Sequence, residues 1–396
     1  MIQPAISKVI PEFESKYRIA RLQELLIEQA LDGTLFVSPV DIYYFAGTRQ
    51  NGVLWIPAEG APMLLVRKSL TRALTESLVA DTRSFPPSKE FSALFNSDIR
   101  KIGLTFDVMP VQYYHYYAGL LPGRAFVDIS FLNRALRSVK SLWEQEHMRE
   151  SGRRLAEIFS QIPAFLKRGM REIDLAAEME YHLRKGCSEG ALRLRSFGQE
   201  IIGLSSSGAR AAYPGGFDGP VTGQGISSSA PYGPSTCVIE ENVPVIVDYS
   251  GTFNGYMMDM TRIFVFGDLD QTMKKAFAVA LEIQAWVVQN LRAEMICEEL
   301  YLGSLRMAEE AGFGMQFMGN PGEQAKFVGH GVGLELDELP VLAKGFTGKL
   351  VEGQVVAIEP KFIFPGRGVV GIENTWLVTA ADSEKLTVLA DDVVNL

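Results

Sequence analysis

The chain is poor in cysteine and histidine, with three and four respectively in 396 residues, and it lacks long apolar or basic runs. Cys187, Cys237 and Cys297 form no CxxC pair, which argues against a disulfide framework or a thiolate zinc site. No apolar stretch approaches the roughly 20 residues of a membrane span, and the N-terminal residues lack a signal-peptide pattern. The net charge of −9, without a Lys/Arg block, argues against nucleic acid. We therefore expect a cytoplasmic protein with no membrane or nucleic-acid partner.

The length and the order of predicted elements indicate two domains. Residues 1–138 begin with a predicted helix at 18–33, and strands in mixed order follow it, so we expect a small α/β accessory domain. His115 lies there within the aromatic run YYHYY, which is typical of packing or an interface. Residues 139–396 present the order helix, helix, hairpin twice, which predicts a second domain of duplicated α+β architecture.

A glycine- and serine-rich segment spans residues 204–234 of the second domain. It is long for a structureless connection within a compact domain, and such loops are often binding elements. Because the segment leads directly into the next hairpin, we expect it to line a site.

That hairpin is predicted from residues 243–266, VPVIVDYSGTFNGYMMDMTRIFVF. Asn254 and Gly255 suit a type I′ turn, in which both central residues need positive φ. Counting back from the turn puts Asp248 and Asp259 on one face as diagonal neighbours, roughly 5 to 8 Å apart. Two carboxylates this close in an apolar sheet repel each other and are poorly hydrated. A cation between them, most simply a metal ion, is therefore expected.

A second hairpin, at residues 354–379, carries another acidic pair. If residues 365–367 form its loop, Glu359 lies directly opposite Glu373. Between the hairpins, FVGHGVGLELDELP contains His330, whose flanking glycines allow another group to approach the backbone closely. Each of these residues alone would more often be an ordinary surface or core residue. Together, two acidic pairs and one imidazole predict a metal site.

The same residues resemble the five-ligand signature of the pita-bread metallopeptidases. That family includes methionine aminopeptidases, prolidases and aminopeptidase P, and creatinase is related to it in fold. The resemblance rests on Asp248, Asp259 in DMTR, His330 in GHGVGLE, Glu359 in IEP and Glu373 in GIEN. It implies an α+β fold in which a C-terminal pita-bread domain of the creatinase/aminopeptidase type follows a smaller N-terminal α/β domain of the creatinase type, which is ribonuclease-H-like.

The resemblance also implies a role for each ligand. Asp248 and Asp259 would hold a first metal, with Asp259 and Glu373 bridging. His330 and Glu359 would complete the shell of a second metal. An oxygen-rich site with one nitrogen suits Mn²⁺, Fe²⁺, Co²⁺ or Zn²⁺, and a hydroxide bridging two such ions would attack the scissile carbonyl. Glu359 is also expected to relay the proton to the leaving nitrogen.

The chain departs from the family pattern around these ligands. Family peptidases carry a histidine after a proline before the first aspartate, where this chain reads YPG at 213–215 or PYG at 231–233. A second histidine is replaced by Asp337, and an arginine two residues before the last glutamate is replaced by Gly371. We expect Tyr232 and Asp337 to serve as substitute catalytic and substrate-binding residues.

The leading hypothesis is a metal-dependent Xaa-Pro dipeptidase or aminopeptidase that acts on small peptides. The alternative is a non-peptidase member of the fold, a C–N hydrolase or a lyase acting on a small zwitterionic compound, because the histidines and the arginine are missing. A binding module without catalysis is disfavoured by the retained ligands. The family resemblance also implies a homodimer, with DIYYFAG at 41–47 and the run around His115 as candidate contacts.

Overall fold

The structure, a computed structural model, describes residues 10–190 and 192–396 of the chain. The chain divides into two units, and the boundary falls between Arg137 and Ser138. Residues 1–9, part of the stretch that lacks a signal-peptide pattern, and residue 191 lie outside the described residues. In the described part of the chain, no helix is long and apolar enough to cross a membrane.

The first unit is built on a mixed six-stranded sheet. Its elements are α1 (Glu12–Glu28), β1 (Gly33–Phe36), α2 (Pro39–Ala46), β2 (Gly52–Pro57), β3 (Met63–Val66), α3 (Leu70–Glu76), β4 (Asp81–Ser84), α4 (Ser88–Phe91), β5 (Lys101–Leu104), α5 (Val111–Leu120), β6 (Ala125–Asp128) and α6 (Ser130–Ser138). The strand order is β4-β3-β2-β1-β5-β6. Strand β1 pairs antiparallel with β2 and parallel with β5, which is the mixed order that the sequence predicted.

Two segments of this unit differ from the sequence-based expectation. Helix α1 begins at Glu12, ahead of the predicted start at Arg18. Arg18 is buried and forms an ion pair at 2.8 Å with Glu14, one turn earlier in the same helix. Helix α2 covers most of the segment DIYYFAG and buries it, with Tyr44 and Phe45 only 3% and 0% exposed. Most of that segment is buried, so a contact with another subunit stays a prediction only for its half-buried residues, Tyr43 and Gly47. His115 on α5 is exposed.

The second unit combines helices with three sheets. Its elements are α7 (Leu142–Ser160), α8 (Ile162–Phe165), α9 (Glu172–Lys185), β7 (Leu204–Ser207), α10 (Gly208–Ala211), β8 (Val245–Phe253), β9 (Tyr256–Val265), α11 (Gln271–Asn290), α12 (Cys297–Glu310), β10 (Phe327–Gly331), β11 (Glu338–Ala343), β12 (Val355–Ile358), β13 (Lys361–Phe364), β14 (Gly368–Gly371), β15 (Asn374–Val378), β16 (Ser383–Lys385) and β17 (Val394–Asn395). The sheet orders are β17-β9-β8-β7, β11-β10-β12-β15-β16 and β13-β14. Helix α11 packs against β13 and β14, and α12 packs against β10 and β11.

The first predicted hairpin is confirmed by strands β8 and β9. Asn254 and Gly255 have φ of 51° and 86°, as a type I′ turn requires. The ladder places Asp248 opposite Thr261 and Ser250 opposite Asp259. The two aspartates are therefore diagonal neighbours. The turn therefore sets the register that brings the two carboxylates onto one face.

The second predicted hairpin has the expected register but is not continuous. The β13–β14 ladder and the β12–β15 ladder belong to different sheets, with Glu359 and Glu373 in the gap between them. Glu373 instead exchanges backbone hydrogen bonds with Thr261 of β9, at 3.3 and 3.4 Å. Pro360 has no N–H to donate to a ladder, which favours a break at this point. The break leaves Glu373 free to pair with the first hairpin.

The predicted loop at 204–234 is only partly irregular. Its first residues form strand β7, which pairs with β8 so that Leu204 lies opposite Asp248, and the short helix α10 follows. Residues 212–244 contain no helix and no named strand. The prediction of a wholly irregular segment is therefore wrong for its first residues, because their serines gain both ladder and side-chain partners.

Candidate metal site

The five predicted ligand side chains converge in the second unit. His330 Nε2 lies 3.9 Å from Asp259 Oδ2, 3.6 Å from Glu359 Oε1 and 3.9 Å from Glu373 Oε1. Asp259, His330 and Glu373 can each offer a ligand atom within 4.8 Å of the others. Asp248 joins the same cluster through a shared partner, the ammonium group of Lys361.

Lys361 is the one member of the cluster that the sequence analysis missed. Its Nζ donates hydrogen bonds to Asp248 Oδ2 at 2.8 Å, Glu359 Oε2 at 2.8 Å and Glu373 Oε2 at 2.9 Å. The residue is 1% exposed. A signal was present in the sequence, because residues two apart in an extended segment point to the same side, and Lys361 follows Glu359 by two.

Glycines let the strands around His330 approach closely, as the sequence suggested. A Cβ at Gly329 would lie 2.4 Å from the carbonyl oxygen of Ala357, and one at Gly331 would lie 2.2 Å from that of Leu339. His330 Nδ1 lies 3.2 Å from the carbonyl oxygen of Gly331. This contact favours the tautomer with hydrogen on Nδ1, which leaves the lone pair of Nε2 directed at the carboxylates.

Hydroxyl groups and a buried arginine hold the carboxylates in place. Ser250 Oγ donates to Asp259 Oδ1 at 2.9 Å, and Thr261 Oγ1 donates to Glu373 Oε2 at 2.9 Å. Arg262, 1% exposed, donates through Nη1 to the backbone carbonyls of Thr261 and Glu373. The Arg262 bonds hold together the two chain segments that meet at Thr261 and Glu373.

Burial and mutual repulsion shift the titration of the acidic groups. Burial is the main cause that raises the pKa of Asp248 and, well above its usual value, the pKa of Asp259. Burial also raises the pKa of Glu359 to about 7. Burial opposes ionisation of Glu373 too, but the Lys361 ammonium outweighs it and lowers the pKa. For Lys361, burial is likewise outweighed by the three carboxylates, so its pKa is raised and it stays protonated.

The residues on the His330 side of the cluster fit a divalent metal ion. Glu373 Oε1 is buried and has no hydrogen-bond partner within the described residues. An unpaired buried carboxylate oxygen is costly, and here it faces His330 Nε2 together with an oxygen of Asp259 and one of Glu359. Three carboxylate oxygens and one imidazole nitrogen form a donor set that transition metals accept. On the Asp248 side, the equivalent position is taken by the Lys361 ammonium.

Tyr232 and Asp337, the predicted substitute residues, lie in separate surroundings. Tyr232 is half-buried and meets Phe217 edge to face, with ring centroids 6.2 Å apart. Asp337 accepts hydrogen bonds from the backbone N–H of Arg195 at 2.7 Å and of Ser196 at 2.9 Å, and from Ser196 Oγ at 2.7 Å. Asp337 therefore anchors residues 195–196, and the substrate roles of both residues stay predictions.

Comparison with known proteins identifies the family. The model described as metallopeptidase family M24 matches residues 146–380, and the model for the creatinase/prolidase N-terminal domain matches residues 18–139. The chain belongs to metallopeptidase family M24 and carries the creatinase/prolidase type of N-terminal domain. This membership confirms the predicted resemblance and implies divalent metal ions.

Individual relatives span nearly the whole chain. An Xaa-Pro dipeptidase of Pyrococcus furiosus is 26% identical over 374 residues, which are 94% of this chain and 98% of that protein. Among solved structures, an Xaa-Pro dipeptidase from Bacillus anthracis has a TM-score of 0.81 at 25% identity and covers 96% of this chain and 100% of its own. The prolidase from Pyrococcus horikoshii has a TM-score of 0.80 at 23% identity, with coverage of 96% and 100%. These likenesses confirm the predicted two-domain fold class.

Proposed function

We propose that the protein is a metal-dependent peptidase that hydrolyses Xaa-Pro bonds, as a dipeptidase or an aminopeptidase. The observation that carries the proposal is the buried cluster of Asp259, His330, Glu359 and Glu373, with one unpaired oxygen, in a chain of family M24. A relative that covers 94% of the chain is named Xaa-Pro dipeptidase, which supports this substrate class. The same relative favours a peptidase over the C–N hydrolase or lyase alternative.

The ion that the cluster would hold is Mn²⁺, Fe²⁺, Co²⁺ or Zn²⁺, given a donor set of carboxylate oxygens with a single imidazole. When bound, such an ion polarises a carbonyl oxygen and lowers the pKa of water. Asp259, His330, Glu359 and Glu373 are its ligands. The sequence predicted two ions, with Asp248 as a further ligand, but Lys361 occupies the position between Asp248 and the two glutamates.

Glu359 is the residue that moves the proton. In the metal-free site, burial raises the pKa of its carboxyl group to about 7, and a bound divalent ion would favour the ionised form that accepts a proton from water. Its Oε2 is fixed by Lys361 at 2.8 Å, and its Oε1 faces His330. This arrangement orients the carboxyl group for transfer of a proton from water to the leaving nitrogen.

Tyr232 and Asp337 act on the substrate side in this proposal. The hydroxyl of Tyr232 replaces a missing histidine as a hydrogen-bond donor to the substrate. Asp337 is a positioning residue, since its oxygens accept hydrogen bonds from residues 195 and 196. A cytoplasmic location and a homodimer also stay proposals, and the exposed side chains of Tyr113 and Tyr116 are candidate subunit contacts.

The proposal is tested by incubating the full chain with Xaa-Pro dipeptides and longer Xaa-Pro peptides, with Mn²⁺ and with a chelator. We expect release of proline or of the N-terminal residue that requires metal and falls by about 10²–10⁴-fold in Glu359→Gln. Glu352→Gln, an exposed site in the same region, is the matched control. No cleavage of any peptide by metal-loaded protein would refute peptidase function, and near-normal turnover by Glu359→Gln would refute its role.

A further inference from the structure

We propose that Lys361 is a resident cation of the carboxylate cluster and takes the place of a metal ion, so that the site binds one divalent ion, on the His330 side. The inference rests on the metal dependence proposed above and reduces the number of bound ions from the predicted two to one. It also assigns Asp248 to the lysine rather than to a metal.

The hydrogen bonds of Lys361 are the first support. An ammonium group has three N–H donors, and those of Lys361 meet three separate carboxylates at 2.8, 2.8 and 2.9 Å. Its donors are therefore fully used, and the side chain is closed off from solvent. An ion bound to the same oxygens of Asp248, Glu359 and Glu373 would need the space that Nζ fills.

The two glutamates divide the cluster into two halves. Glu359 and Glu373 each direct Oε2 to Lys361 and Oε1 towards His330. Asp259 uses Oδ1 for the Ser250 hydroxyl and turns Oδ2 towards His330 at 3.9 Å. The half that contains His330 thus offers three oxygens and one nitrogen, and the half that contains Asp248 already holds a cation.

The charge of the cluster favours one ion over two. Four carboxylates carry four negative charges when ionised, and the ammonium offsets one of them. One divalent ion would leave a single excess negative charge. Two would reverse the sign of the buried site and place two dications beside a buried ammonium, a like-charge contact that low-dielectric surroundings make strongly unfavourable.

The residue opposite Lys361 is a glycine packed closely against it. Lys361 pairs with Gly371 across the β13–β14 ladder. A Cβ at position 371 would lie 2.7 Å from Lys361 Cγ and 2.6 Å from the carbonyl oxygen of Pro360. A Cβ there would also lie 2.7 Å from Lys361 Cα, so the main chain at 360–361 and the Lys361 side chain together leave no room for a side chain at 371.

The test is metal stoichiometry, measured by elemental mass spectrometry after removal of metal with a chelator and equilibrium dialysis against Mn²⁺. The wild-type chain should bind about one ion, and Lys361→Met, which keeps the length of the side chain but not its charge, about two. Lys385→Met is the matched control. It removes a lysine that pairs with Asp391 at 2.7 Å in the same unit but outside the cluster, and it should leave the stoichiometry unchanged.

Each outcome decides between the proposals. Two ions in the wild-type chain, or one in a folded Lys361→Met, would overturn the inference and leave the peptidase proposal intact. Binding of no ion would overturn both. One ion without peptide cleavage would overturn the peptidase proposal alone.

If Lys361→Met does not fold, a second pair of variants tests whether Asp248 is a metal ligand. Asp248→Asn should keep the single ion, because Asp248 faces Lys361, whereas His330→Ala should lose it. Loss of an ion in Asp248→Asn would show that Asp248 is a metal ligand and would overturn the inference.

Discussion

Glu172 is the buried anchor of the segment that leads into the metal-site hairpin, and its replacement by glutamine is the most informative test of the fold. Its Oε1 accepts hydrogen bonds from the backbone N–H and the Oγ of Ser207, at 2.7 and 2.9 Å, and from Arg210 Nε at 3.2 Å. Its Oε2 accepts from the backbone N–H and the Oγ of Ser235, at 2.8 and 2.7 Å. One carboxylate therefore holds both ends of the 208–234 segment.

The expected loss follows from this geometry. Glutamine keeps the shape of glutamate but turns one acceptor oxygen into an NH₂ donor, which then faces the backbone N–H of Ser207 or Ser235. At least one charge-assisted hydrogen bond, worth about 1.5–3 kcal/mol, is lost, and Arg210 loses its buried charged partner and keeps only Glu240, at 3.6 Å. We expect Glu172→Gln to lower the free energy of unfolding by about 3 kcal/mol, which corresponds to a fall in Tm of roughly 6–12 °C.

The assay is thermal and urea unfolding of the full chain, followed by circular dichroism. Glu178→Gln on the same helix is the control, since the Glu178 side chain is 43% exposed and makes only a long contact, 3.9 Å, with His182, so it should shift stability by no more than about 0.5 kcal/mol. Because the segment is proposed to border the site, Glu172→Gln should also raise KM for an Xaa-Pro peptide. A Glu172→Gln protein as stable as Glu178→Gln would refute the reasoning.

Two further predictions concern the cluster itself. Burial raises the pKa of Glu359 to about 7, so below this pH a metal must displace a proton, and the Kd for Mn²⁺ by calorimetry should weaken by up to about tenfold per pH unit as pH falls. Affinity that does not change between about pH 6 and 8 would contradict this. Gly371→Ala should destabilise the chain by about 1–3 kcal/mol in urea unfolding, because its methyl group would crowd Lys361 and the carbonyl of Pro360. Gly348→Ala, whose methyl group would meet no atom within 4 Å, is the control, and equal stability of the two variants would rule out crowding at 371.

The first hairpin was predictable because its information is local. A two-residue turn of Asn254 and Gly255 fixes the register, and the register alone decides that Asp248 and Asp259 share a face. The register of the second hairpin was equally local, and its turn was placed correctly. Its interruption at Pro360 was not predicted, because the competing partner, Thr261, is distant in sequence.

Lys361 was overlooked because a lysine in a strand is usually a solvent-facing residue. Its spacing from Glu359 is a local signal, but its burial also depends on Asp248 and Glu373, which are distant from it in sequence or lie across a turn. The serines of residues 205–207 were predicted to lie in a loop because their partners, Glu172 and strand β8, are distant in sequence. Sequence patterns thus predicted that the acidic side chains lie together, whereas the cation among them depends on tertiary structure.

The most direct test of the account is the rate of proline release as Mn²⁺ is added stepwise to the metal-free chain. Cleavage of an Xaa-Pro dipeptide should be absent without metal and should rise until about one ion is bound per chain, then stay constant. Activity that continues to rise to about two ions per chain would contradict the role given to Lys361. Activity that is unaffected by removal of metal would contradict the metal site as a whole.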